Sequence, residues 1–340
     1  TVAAWLIMLP VPFVLGLLAY QVGIWLPVMP LWAGTVPAMV AALVLNYATE
    51  GRQKRFIKGA FKQYLSPAFI EQIMHDPDRL KLGGETRELT IYFSDIKGFT
   101  GISEKLGAEK LTALLNRYLT VMSDIIQESG GTVDKYIGDA VVAFWNAPLD
   151  QADHAERGLK AALESQRILE QIRPELEAEF GVRIYARIGL NTGPVVIGNM
   201  GSNQRFNYTF LGDAGNLASR LEGINKKFGT YITISQFTRD RLGDLFHGRE
   251  LSRITVVGRQ ETVRIYEPMA ETDYAKRQSL FAAFETALAL YYAGRFAEGA
   301  AAFEALSKDD PTSAMYAHRC LELAADPPAT WDGVWAMTEK

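Results

Sequence analysis

The first 49 residues carry no charged side chain, and no other feature of this chain restricts its fold as strongly. At about 1.5 Å of rise per residue, a helix needs roughly 20 residues to cross the hydrocarbon core. The stretch therefore has room for two crossings, near 4–24 and 29–47, with Trp25-Leu-Pro27 and Pro30 at the reversal. Trp5, Trp25, Trp32 and Tyr47 fall where amphipathic rings prefer to sit, at the interfaces. Arg52, Lys54, Arg55, Lys58 and Lys62 follow at once, and basic residues clustered beside a span mark the cytoplasmic side. A secretory signal would be shorter, with basic residues ahead of it. The expectation is a multi-pass protein of the inner (plasma) membrane, with lipid bilayer around 1–49 and everything after residue 50 in the cytoplasm. Thr1 is then cytoplasmic or preceded by further spans. A helical hairpin buried in a soluble protein is the competing reading.

Beyond that stretch the chain reads as globular. A net charge of −4 argues against nucleic acid as a partner. Cys320 is the single cysteine, which rules out an internal disulfide and a Cys-rich metal site, and His75, His154, His247 and His318 show no ligand spacing. Residues 50–84 form an amphipathic linker in which Phe56, Ile57, Phe61, Tyr64 and Leu65 recur at helical spacing, with Ser66-Pro67 as a new helix start. The pattern then predicts a strand at 88–95, a helical region at 99–128, a hairpin at 131–137 and 140–146, and a long helix at 152–179. Strands near 182–192, 194–200 and 205–211, a helix at 213–227 and shorter elements to 267 follow. This βαββαβ order is that of a ferredoxin-like α+β sandwich.

Two carboxylates stand at the ends of apolar runs: Asp95, closing Leu89-Thr-Ile-Tyr-Phe-Ser-Asp95, and Asp139, in the turn of Lys135-Tyr-Ile-Gly-Asp139-Ala. Such residues fill a core poorly, but they can hold a hard cation over a phosphate, since Mg²⁺ needs only one or two carboxylates plus substrate oxygens. Downstream, Asn216 and Arg220 lie four apart, on one face of a predicted helix. Metal-binding acids with a positioned arginine point to phosphoryl or nucleotidyl transfer. The run Ile96-Lys-Gly98-Phe99-Thr100 adds small residues and free N–H groups at a helix start, which favours phosphate.

These segments together, over residues 85–268, resemble the class III nucleotidyl cyclases. The resemblance implies two divalent cations per site, Mg²⁺ or Mn²⁺, on Asp95 and Asp139 with the Ile96 carbonyl as an extra ligand. It implies that Arg220 stabilises the pentavalent transition state, that Asn216 orients the ribose, and that Gly98, Phe99 and Thr100 lie against the triphosphate. In Val256-Val-Gly258-Arg259, Arg259 stands where the family normally has Lys reaching the terminal phosphates. Gly215 departs from a bulkier aliphatic residue, with little consequence expected.

Base choice, by the same resemblance, rests on Lys135, four residues before Asp139, and Thr209, seven before Asn216. Lys with Thr is similar to the class IIIb adenylate cyclases, often stimulated by bicarbonate. A threonine hydroxyl accepts from the adenine amino group but can also donate. The family draws its acids from one protomer and Lys, Thr, Asn and Arg from the other, so the implied enzyme is a homodimer that turns ATP into 3′,5′-cyclic AMP. A guanylate cyclase and a catalytically inactive cyclase-like module are the rivals. The Ala-rich segment 269–340 reads as a short helical tail with one tetratricopeptide-like helix pair, expected to pack on the catalytic domain. The layout resembles bacterial cyclases with a CHASE-type extracellular sensor, which would precede Thr1.

Overall fold

Pro10 and Pro12 frame the start of the first helix in the computed structural model, α1 (Val11–Gln21), because proline fits a helix's first turn and not its middle. The structure describes residues 10–25, 37, 40–41, 83–202, 205–256 and 261–337. It divides the chain into two units, 1–71 and 72–340. In the first, α1 has 11 residues where a crossing over 4–24 was expected, and Gly23 at φ 78° lies just past its end. No helix among the described residues is long and apolar enough to cross a membrane. The expected crossing at 29–47 lies outside the described residues apart from 37, 40 and 41, and so does the linker as far as residue 82.

The second unit is organised around β1 (Gly83–Ile96), which takes in the last two residues assigned to the linker. Leu89 and Ile91 fill one face of β1 and Thr90, Tyr92 and Ser94 the other, all fully buried, as period-2 alternation requires of a strand between two layers. Helices α2 (Phe99–Lys105) and α3 (Ala108–Glu128) follow, so the expected helical region is broken at Leu106-Gly107. The hairpin β2 (Thr132–Ile137) and β3 (Ala140–Trp145), the helix α4 (His154–Phe180) and the strand β4 (Ala186–Gly201) complete βαββαβ. The strands lie in the order β2-β3-β1-β4, each antiparallel to its neighbour. Tyr118 and Met122 of α3 and Ala162 and Leu169 of α4 pack with Tyr92 and Trp145 on one face. Each such fully buried large side chain contributes roughly 1.5–3 kcal/mol.

Where two strands were expected over 182–200, β4 is one strand of 16 residues. Its other edge pairs first with β6 (Ile232–Ser235) at 188–190 and then with β5 (Phe206–Leu211) from 196. Pro194 falls in the gap between them, where a residue without an N–H is tolerated. On this second face lies α5 (Asp213–Phe228), whose Ala214 and Ala218 pack with Leu89, Ile91 and Val195. The approach is close: a Cβ at Gly189 would lie 2.3 Å from both the Ala218 carbonyl oxygen and the Glu222 nitrogen.

After the helix α6 (Gln236–Leu242), the strands β7 (Gly248–Val256) and β8 (Val263–Pro268) extend the sheet beyond β6. The tail is not purely helical. Helices α7 (Glu271–Tyr292), α8 (Phe296–Glu304) and α9 (Pro311–Ala325) are followed by β9 (Trp335–Met337), which pairs parallel to β7. Phe284, Tyr291, Phe303 and Tyr316 share a core with Phe228 of α5 and Leu251 and Ile265 of the sheet. Buried Arg249 of β7 reaches Asp310, the N-cap of α9, through two bonds of 2.7 and 2.8 Å, and Glu267 through a third of 2.8 Å. A charge this deep is tolerated because its hydrogen bonds are satisfied, and it ties the tail to the sheet.

Gly189→Ala should force α5 off β4 and cost about 1–3 kcal/mol. The expected result is a lower thermal midpoint; an unchanged midpoint would show that α5 is free to shift.

Candidate active site

The carboxylates of Asp95 and Asp139 meet at one end of the sheet. Asp95 is the penultimate residue of β1, and Asp139 sits in the two-residue turn between β2 and β3, after Gly138 at φ 66°. β3 pairs directly with β1, so the hairpin delivers its tip to the end of that strand. There the Ile96 N–H donates to Asp139 Oδ2 at 3.1 Å. Burial, then a hydrogen bond and the negative charge from Asp95, push the Asp139 carboxyl up to about 7. Two carboxyl groups forced together share a proton unless a cation relieves them. The donor set therefore fits a divalent cation. Among the described residues no group of three or more His, Cys, Asp or Glu could hold a metal, so the remaining ligands would be backbone, water or substrate oxygens. Ile96 itself is buried in the core, which leaves only its backbone to contribute.

Gly98 caps α2 at φ 73°, a left-handed conformation that glycine adopts without strain. Thr100 is exposed, whereas the Phe99 ring packs against the core beside α3 and α4, so its backbone is what faces outward. Arg259 lies outside the described residues. Asn216 and Arg220 stand one turn apart on α5, and among the described residues their side chains have no hydrogen-bond or ion-pair partner.

A second group forms on the edge of the hairpin. Lys135 Nζ donates to Thr209 Oγ1 at 3.3 Å, joining β2 to β5. Lys135 and Asp139 share one hairpin, but the ammonium is engaged by Thr209 and by Asp134 Oδ2, at 3.3 Å. Gly215 has a consequence that was not expected: a Cβ there would lie 2.4 Å from the Phe210 ring, which fills the space of the missing side chain. Phe210 follows Thr209 directly and packs edge-on to Phe144, 5.8 Å between centroids.

Two acidic residues were missed. Asp134 is buried between Lys135 and Thr209. Glu222, two positions after Arg220, is pushed up to about 7 from the ordinary 4.5, first by burial and next by the charge of Asp95, with Arg187 opposing and Asp139 adding. Its signal was available, because it stands beside Leu221 and Ile224 on the buried side of α5. The folded protein keeps a proton here that the unfolded chain releases near 4.5, so this contribution is lost as pH rises from about 4.5 through about 7. The loss amounts to about 3 kcal/mol at most. In metal-free protein, Glu222→Gln should flatten the fall in thermal midpoint across that window; an unaltered slope would mean Glu222 is already ionised in the fold.

The adenylate and guanylate cyclase catalytic domain family matches residues 84–267. Adenylate cyclase 1 of Rhizobium meliloti is 36% identical over 181 residues, 53% of this chain and 27% of that protein. An adenylate cyclase of Anabaena cylindrica is 34% identical over 250 residues, 70% of this chain and 47% of that protein. The chain thus spans about a quarter to a half of these relatives. The crystal structure of the adenylyl cyclase CyaB from P. aeruginosa superposes with a TM-score of 0.53 at 36% identity, covering 56% of this chain and 97% of that one. The guanylyl cyclase Cya2 gives 0.50 at 33% identity, covering 56% and 96%.

Proposed function

The chain belongs to the adenylate and guanylate cyclase catalytic domain family, and from that premise we propose that it is an adenylate cyclase, converting ATP to 3′,5′-cyclic AMP and pyrophosphate. The observation that carries the reaction class is the Asp95–Asp139 pair, brought together at the sheet end where the Ile96 N–H donates to Asp139, with Asn216 and Arg220 uncommitted on α5 among the described residues. The ATP reading is supported by the contact of Lys135 with Thr209 and by the adenylate cyclases among the similar proteins.

In this reading the ribose 3′-oxygen forms a bond to the α-phosphorus as the bond from that phosphorus to pyrophosphate breaks, and the hydroxyl proton is released. Asp95, Asp139 and the Ile96 backbone would hold Mg²⁺ or Mn²⁺, which supplies Lewis acidity toward the hydroxyl and the triphosphate. Arg220 presents a planar guanidinium to the charge spread over the phosphoryl oxygens. Asn216, one turn earlier, holds the ribose, and the backbone at Gly98, Phe99 and Thr100 lies along the phosphates. Lys135 and Thr209 read the purine.

The site would be shared across a homodimer, acids from one protomer and the Lys135, Thr209, Asn216 and Arg220 group from the other. The engagement of Lys135 with Asp134 and Thr209 supports that division. Attachment to the inner membrane, with the catalytic domain in the cytoplasm, rests on the charge-free stretch and the basic run after it. A preceding sensor and activation by bicarbonate rest on the resemblance alone.

The purified chain with Mn²⁺ should yield cyclic AMP from ATP in preference to cyclic GMP from GTP, identified by chromatography. Arg220→Ala should lower kcat by about 10²–10³-fold, and Asp95→Ala should abolish turnover. A product that is mainly cyclic GMP would reverse the base choice. Asp139→Ala mixed with Arg220→Ala should regain about a quarter of wild-type activity, since half the dimers then hold one intact site of two. A mixture as inactive as either parent would rule out shared sites.

A further inference from the structure

β2 and β3 slip register between Val133 and Lys135: Val133 opposes Ala143 and Lys135 opposes Val142, which leaves Asp134 as the extra residue of a β-bulge. Bulges re-aim a side chain, and they recur beside active sites. Here the re-aimed side chain is a carboxylate with 1% of its surface exposed. Its Oδ2 accepts the Thr209 hydroxyl at 2.9 Å and faces Lys135 Nζ at 3.3 Å. Its Oδ1 is buried with no hydrogen-bond partner among the described residues. Burial pushes the carboxyl up, while the Lys135 ammonium and the Thr209 hydroxyl pull it down. A buried acid held this way needs a reason other than stability, since removing an unsatisfied buried oxygen is by itself favourable.

A threonine hydroxyl has one hydrogen and two lone pairs. The hydrogen goes to Asp134, and one lone pair takes the Lys135 ammonium. What Thr209 has left is a single lone pair, so it can accept and cannot donate. Lys135 keeps N–H groups to spare and can only donate. A donor beside an acceptor matches adenine, whose N1 accepts and whose 6-amino group donates. With Lys135 facing N1 and Thr209 facing the 6-position, it mismatches guanine, whose N1–H donates and whose O6 accepts. We propose that Asp134 is the specificity-determining residue behind the base pocket: by holding the Thr209 hydrogen it makes Thr209 an obligate acceptor, and so selects a 6-amino over a 6-oxo purine. This rests on the reading of Lys135 and Thr209 as the purine contacts. Asp134 acts through Thr209 and is a positioning residue.

The test is kcat/KM for ATP and for GTP in Asp134→Val, Thr209→Val and the double variant, with equilibrium binding of the 3′-deoxy nucleotides as readout where turnover is too low. Asp134→Val frees the Thr209 hydrogen, so the ATP-to-GTP ratio should fall by at least about tenfold, with GTP gaining as ATP loses. Thr209→Val should lose ATP without gaining GTP, and adding Asp134→Val to it should change the ratio by less than about twofold, because the hydroxyl is already gone. A fall of ATP and GTP by one common factor in Asp134→Val would make the residue merely structural and overturn the inference, while leaving the adenylate cyclase reading intact. A GTP preference in the unaltered chain would overturn that reading itself. Should Asp134→Val not fold, purine analogues carry the test on the unaltered chain. Purine riboside triphosphate, with nothing at C6, should compete better than the 6-methoxy analogue, whose oxygen can only accept; the reverse order would show that Thr209 donates, and the inference would fall.

Discussion

The ladder between β1 and β4 is the constraint on which the rest depends. It runs the whole 14-residue length of β1 in unbroken antiparallel register, from Gly83 opposite Asn199 to Ile96 opposite Ala186. Because both its faces are covered, a one-residue slip would turn Leu89 and Ile91 toward α3 and α4 and expose Tyr92 to the α5 side, so the register is strongly specified. Each part of the site hangs from it. Asp95 ends β1, β3 brings Asp139 to that end, Gly189 of β4 seats α5 with Asn216 and Arg220, and the far half of β4 carries β5 with Thr209. Residues more than a hundred positions apart are thereby placed by a single pairing.

What the sequence made legible follows from this. Apolar alternation marks β1 and β3, glycine punctuates the hairpin, and a carboxylate at a strand end stands out because a core cannot absorb it. The βαββαβ order follows from local pattern, and the Asp95–Asp139 meeting from that order, whereas the Lys135–Thr209 contact was expected from the family resemblance alone. The rest depended on information that local pattern does not carry. Asp134 was not singled out, because only the slip between Val133 and Lys135 turns it inward. β9 has three residues and no alternation to betray it; it exists because β7 offers an open edge. The break expected between strands near 192 and 194 is absent, because Pro194 falls at the handover from β6 to β5, where a missing N–H is harmless. Phe210 closing the space at Gly215 is a compensation between positions on different elements, invisible to either alone. At the N-terminus, hydropathy set a generous span over 4–24, whereas Pro10 and Pro12 set where α1 starts.

Electrostatics at the sheet end is built around a deficit of positive charge. Asp95, Asp139 and Glu222 converge with Arg187 as the cation among their named partners, and two of the three acids are pushed up to about 7. Such an arrangement costs stability in isolation and is relieved by whatever cation occupies it, which links ligand binding to the firmness of the β1 end. The Arg249 cluster is the opposite case: its guanidinium meets Asp310 and Glu267 within the fold, and it anchors the tail without asking for a ligand. Comparing the two separates a structural charge cluster from a functional one more surely than burial does.

One hairpin carries members of both side-chain groups. Asp139 at its tip belongs to the carboxylate pair, while Asp134 and Lys135 on its outer strand belong to the group that meets Thr209, with only Tyr136, Ile137 and Gly138 between. Tyr136 and Ile137 are exposed, so this stretch is not locked by a core of its own. The bulge at Asp134 sits between the firmly paired start of β2 and that exposed end, and a bulge concentrates twist. The two groups are thereby joined through three residues of strand, so a shift of twist at the bulge would reach both.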